Sequence, residues 1–166
     1  MHTLFTILIT IGALSSLVSS NQVVVFNKCT YPVYAWTRGP AGSQNIVIEP
    51  NNHYVEAMYQ SPGGVDLRFT TVPDGLLTSS ALARFTYNID FGQIWYALTN
   101  LYGDPFLNHP LIVKPMNPSG HYCKTIRWVR GVPPSGRARM TWCGLYTRLH
   151  VYLCGARDDD NGQTED

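Results

Sequence analysis

Charge is scarce in this chain of 166 residues, of which 14% are Asp, Glu, Lys or Arg, 45% are hydrophobic and 12% are aromatic. So little charge beside so much apolar material excludes a disordered chain or a coiled coil and suffices for one packed domain. Acids are missing altogether between Asp104 and Asp158. No Cys-x-x-Cys pair occurs, which argues against zinc and thiol redox chemistry. No phosphate-binding glycine loop is present, and Ser119, Ser135 and the other serines lack a nucleophile-elbow setting. An Asn-x-Ser/Thr acceptor is also absent, because Asn117 is followed by Pro118. The composition therefore points to a class of protein more firmly than to a reaction.

What the chain does contain begins with one apolar block, Leu4 to Val18, followed by Ser19 and Ser20. At fifteen residues it falls short of the roughly 20 that a spanning helix needs. Val18 and Ser20 occupy the small-residue positions of a cleavage site, although the first residues carry no Lys or Arg. The reading is a signal peptide over 1–20 with cleavage before Asn21, no membrane span, and a secreted product in the extracellular space or cell wall. In that oxidising setting Cys29, Cys123, Cys143 and Cys154 allow two disulfides in three connectivities. The preferred pairing is Cys29 with Cys154, joining the opening strand to the last, and Cys123 with Cys143, closing a local loop.

From Asn21 the apolar pattern has a period of two. Ala83, Phe85, Tyr87 and Ile89 alternate with Arg84, Thr86 and Asn88; Asp90-Phe91-Gly92 offers a turn, and Ile94, Tyr96 and Leu98 resume the pattern, which predicts a hairpin. Leu145, Thr147, Leu149, Val151 and Leu153 alternate with Tyr146, Arg148, His150 and Tyr152, predicting a strand with those four facing outward. Val23 to Phe26 reads as a strand covered on both faces, and Tyr31 to Trp36 as another. Gly and Pro punctuate the remainder, and the one helix candidate is Leu76 to Ala83. The fold class predicted is all-β, an antiparallel sandwich or barrel of roughly eight to eleven strands over residues 21–157 without linker or repeat. The segment 158–166 holds five of the eleven acids and is expected to be a disordered tail.

Three stretches carry a family resemblance: Val25-Phe26-Asn27-Lys28-Cys29-Thr30-Tyr31-Pro32-Val33-Tyr34-Ala35-Trp36, Trp95 to Phe106, and Cys123 to Trp128 with Gly131-Val132-Pro133-Pro134-Ser135-Gly136 and a last strand ending at Cys154. Together they resemble the small secreted fungal branch of thaumatin-like proteins, the yeast-phase-specific antigens and CetA-like proteins, from about Val23 to Cys154. The resemblance implies a disulfide-stapled β-sandwich without the second and third lobes of plant thaumatins, and a first-to-last cysteine bridge. Larger relatives have an acidic cleft thought to bind β-glucans. Their Tyr-Asp-Leu-Ser-Asn-Ile-Asn/Asp-Gly loop is here Tyr96, Ala97, Leu98, Thr99, Asn100, Leu101, Tyr102 and Gly103. Ala97 and Tyr102 therefore stand where a carboxylate or amide is expected, which weakens an enzymatic reading, since a glycosidase needs two carboxyl groups across the scissile bond.

Glu56 and Asp66 are the carboxylates to test first for catalysis, with surface solvation as the plainer alternative. Asp74, Asp90 and Asp104 have sufficient explanations as turn residues. His53, His109, His121 and His150 are too scattered to suggest a metal, and no cofactor is expected. The acid-free half holds eight of the twelve Lys and Arg residues, interleaved with Tyr122, Trp128, Trp142, Tyr146 and Tyr152. From it Arg127, Trp128, Arg130, Tyr146 and Arg148 are the candidate binding residues, able to stack on sugars or meet anions. The alternative is that these charges only keep a secreted sandwich soluble. The acidic tail has the charge to fold back on this half. The functional expectation is a non-enzymatic, monomeric, cell-wall-associated or host-facing protein that binds a polysaccharide or a host protein, and no nucleic acid. The alternative is an enzyme that hydrolyses or remodels β-glucan.

Overall fold

The structure, a computed structural model, describes residues 21–39, 42–116, 118, 123–134 and 138–155. The segments 1–20 and 158–166 lie outside the described residues, as do His121, Tyr122, Arg137 and Arg157. Among the described residues eleven strands form two layers. β1 (Gln22–Asn27), β4 (His53–Ala57), β8 (Leu111–Met116), β9 (Ile126–Trp128) and β11 (Arg148–Leu153) make a five-stranded sheet in the order β4-β1-β11-β8-β9. β2 (Val33–Gly39), β3 (Gly42–Ile48), β5 (Val65–Thr70), β6 (Leu82–Asp90), β7 (Gln93–Leu101) and β10 (Met140–Gly144) make a six-stranded sheet in the order β10-β7-β6-β5-β2-β3.

The alternation predicted for the hairpin is what builds the core. Ala83, Phe85 and Tyr87 on β6 and Ile94, Tyr96 and Leu98 on β7 are all buried, facing Val23, Val25, Val113, Leu149 and Val151 of the other sheet in one cluster. Phe91 and Gly92 form the two-residue link, with φ of 48° and 72°. Two successive left-handed residues match the right-handed twist of the strands, and Gly92 takes that conformation without a Cβ penalty. Asn27, fully buried, explains the Asn-basic-Cys turn. Its Nδ2 donates to the carbonyls of Tyr31 (2.9 Å) and Ile48 (2.7 Å), and its Oδ1 accepts from Cys29 N (2.9 Å). One amide thereby fixes the turn and ties β1 to β3 across the layers.

Both preferred disulfides are present, Cys29–Cys154 and Cys123–Cys143. Among the described residues the sandwich is antiparallel except for one pair, β1 and β11, which run in parallel with Val23 beside Leu149 through Asn27 beside Leu153. Three expectations need correction. Leu76 to Ala83 is not a helix. Hydrogen bonds from Leu77 N and Thr78 N to the Asp74 carbonyl make a single turn, Ser79 has φ of 52°, and Leu82 already belongs to β6. The last strand starts at Arg148 and not at Leu145, because residues 145–147 carry the chain from one sheet to the other, with Thr147 N bonded to the Gly144 carbonyl. Tyr152, expected to be exposed, is 2% accessible and stacks on Phe26 with ring centroids 5.0 Å apart.

Candidate functional site

Glu56 and Asp66 do not meet. Glu56 on β4 stands opposite Val23, so its side chain points between the layers. Its Oε2 accepts from Thr37 Oγ1 (2.7 Å) and Tyr54 OH (3.0 Å), and its Oε1 from Tyr87 OH (3.3 Å). Burial first, and then the neighbouring carboxylate, push the Tyr54 and Tyr87 hydroxyls far above their ordinary value, so they remain donors. Tyr59 closes the cluster, its N bonded to Tyr87 OH and its OH donating to the Arg38 carbonyl. Asp66 lies on β5 between the buried Val65 and Leu67, so it points out of the six-stranded sheet, where Arg68 (3.2 Å) and Arg84 (3.8 Å) hold it. The thickness of a sheet separates the two carboxylates, and they cannot flank one glycosidic bond.

The five predicted binding residues divide. Trp128 is 2% accessible and belongs to the core, so it has no free face for a sugar to stack on. Arg127, its neighbour on β9, is exposed. Arg130 is exposed and donates to Asn108 Oδ1 at 3.3 Å. Tyr146 is 71% accessible in the turn before β11, and Arg148 on β11 stands opposite Met116. Of the five, Arg127 and Trp128 line a common depression, a groove of about 520 Å³.

That groove separates β9, at the edge of one sheet, from β10, at the edge of the other. Cys123–Cys143 staples its two sides, and Tyr96 OH donates to the Lys124 carbonyl at 2.5 Å. Burial raises the Tyr96 hydroxyl to about 12, against the opposing effect of its bonds to Thr141 and Lys124. Lys124, Arg127 and Arg139 supply positive charge; Ile126, Trp128, Pro134, Met140 and Trp142 supply apolar wall; among the described residues no carboxylate lines it. Met140 also borders a second depression of about 460 Å³ that contains Asp66, Arg84, Asn88 and Trp95, on the outer face of the six-stranded sheet.

Sequence reasoning missed most of that outer face. The registers align Trp142 with Trp95 and Asn88, Met140 with Ala97, Thr86 and Asp66, and Thr99 with Arg84, Arg68 and Trp36. Three of the four tryptophans thus share one side of the sheet, each half-buried. Trp142 and Trp36 lie four strand steps apart, about 19 Å across the sheet at about 4.8 Å per step, and their register rows are offset by four residues along the strands, so about 23 Å separates them. The signal was legible in β7: Trp95, Ala97 and Thr99 alternate with the buried Ile94, Tyr96 and Leu98, which puts a tryptophan on the solvent side of a strand.

This sandwich has known counterparts. An antigenic thaumatin-like protein of Arthroderma benhamiae is 23% identical over 167 residues, covering 90% of this chain and 82% of the relative. The crystal structure of the protein elicitor MoHrip2 from Magnaporthe oryzae superposes with a TM-score of 0.63 at 19% identity, over 81% of this chain and 99% of the other. A thaumatin-like xylanase inhibitor, TLXI, gives a TM-score of 0.46 at 12% identity, over 80% and 99%. The fold is thaumatin-like, with fungal antigenic and elicitor relatives. The model of the Bys1 family, the Blastomyces yeast-phase-specific protein, matches residues 10–155, and the chain belongs to that family.

Proposed function

We propose that the protein is secreted, remains in the cell wall or faces a host, and acts without catalysis by binding a glycan. The observation that carries this reading is the outer face of the six-stranded sheet, on which Trp36, Trp95 and Trp142 are spread among Asp66, Arg68 and Arg84. Indole faces take up the apolar faces of sugar rings, and flanking carboxylate and guanidinium groups serve hydroxyls as acceptor and donor. The placement of Glu56 and Asp66 on opposite sides of a sheet supports binding over hydrolysis. Fungal relatives described as an antigen and an elicitor are in keeping with a protein presented to other organisms.

The test is retention of the purified chain on insoluble β-glucan and chitin. Retention of one polymer is expected, is expected to survive high salt, and should fall at least about tenfold in W36A and W95A, about 1.4 kcal/mol. A host protein as the partner would give no retention on either polymer. Turnover of β-glucan abolished by E56Q or D66N would replace this reading with the enzymatic one.

A further inference from the structure

We infer that the groove between β9 and β10 binds an anionic polysaccharide, a chain of uronate sugars whose carboxylates meet Lys124, Arg127 and Arg139. The inference rests on the glycan-binding reading and adds the class of ligand. Lys124, Arg127 and Arg139 line a depression of about 520 Å³ to whose lining, among the described residues, no carboxylate contributes. Apolar walls at Ile126 and Trp128 strengthen the field of those cations compared with an open surface. The groove does not close on itself. At Met140 it passes onto the outer sheet face, where the Trp142 and Trp95 rings lie 6.0 Å apart at 41°.

A uronate chain carries on every ring both an apolar face and one carboxylate, and this path offers cations first and indoles next. An acidic peptide is the competing ligand. Its best anchorage would be strand addition, for which β9 offers only three residues.

Binding of polygalacturonate fragments to the full chain tests the inference, with poly-glutamate and soluble β-glucan as the comparison ligands. Polygalacturonate binding is expected to fall at least tenfold in K124E, in R139E and in W142A, and to weaken steeply as salt rises. β-Glucan binding should be unchanged by K124E and R139E, and poly-glutamate should bind at least tenfold more weakly than polygalacturonate. Lys124 and Arg139 are both exposed, so these variants are expected to keep the wild-type melting profile. Retained β-glucan binding with no polygalacturonate binding, or with binding indifferent to both charge reversals, would overturn the inference and leave the broader reading standing. Loss of every glycan interaction would remove both. Equal binding of poly-glutamate would show that sugar rings are not what the groove selects, and would also overturn the inference.

Discussion

The two long sides of the sandwich are closed in opposite ways. On one, the edge strand β4 meets β2 and β6 through Glu56, whose carboxylate collects hydroxyls from Thr37, Tyr54 and Tyr87. On the other, β9 and β10 stay apart around a cationic groove and are joined by the Cys123–Cys143 bridge and by the bond from Tyr96 to the Lys124 carbonyl. An acid that looked catalytic thus serves as internal closure, whereas the acid-free side is the one that stays open. The difference teaches that a carboxylate beside tyrosines is first to be asked what it holds together.

The largest effect expected from breaking this contrast is on the open side. Replacing Cys123 and Cys143 by Ser should cost about 3 kcal/mol on a chain-entropy argument for their 20-residue separation. Glycan affinity should fall as well, since β9 and β10 lose the bridge that sets their spacing; urea titration and binding measurements on the same variant check both. On the closed side, Glu56→Ala leaves three hydroxyls without their acceptor and should cost about 2 kcal/mol, with Glu56→Gln costing less. Neither is expected to change binding in the groove, and a loss of binding in Glu56→Gln would break the division of labour between the two sides.

Alkaline pH should act on the Glu56 cluster and on Tyr96 beside the groove. Tyr54, Tyr87 and Tyr96 have folded-state values raised above the ordinary value near 10, Tyr96 to about 12. The unfolded chain therefore loses their protons first. Stability should be fully present below about pH 10 and decline as the pH rises from there toward the folded-state values. Tyr54→Phe should flatten that decline, as followed by melting temperature from pH 9 to 12. The smallest stability effect belongs to the exposed groove cations: Lys124→Glu and Arg139→Glu should each shift stability by less than about 0.5 kcal/mol while changing affinity tenfold.

Strand alternation made the β6–β7 hairpin legible residue by residue, because a half-buried strand writes its two faces into the sequence. Cysteine position led to both bridges, and the thaumatin-like motifs to the first-to-last one. The run from Leu145 to Leu153 misled because the period continues through a crossing between sheets, where Thr147 is buried in a turn and not in a strand. Leu76 to Ala83 misled because apolar residues around a single turn have the composition of a helix without its length. For the site, local sequence could place Arg127 and Trp128 side by side but not decide which faced solvent. That Trp142, Trp95, Arg84, Arg68 and Trp36 share one face of the sheet comes from registers between strands distant in sequence, which no local pattern records.

The parallel pairing of β1 with β11 has a consequence for the birth of the molecule. The middle of the five-stranded sheet is built from the first and the last strands, whose linked cysteines are 125 residues apart. A nascent chain emerging from its amino end can assemble the β6–β7 hairpin early, yet β1 must wait beside an empty place until the final strand arrives. Contacts so remote in sequence slow the search and leave an open edge exposed meanwhile. Truncations that stop short of Arg148 should therefore leave a chain with hairpins but no closed barrier between its interior and water.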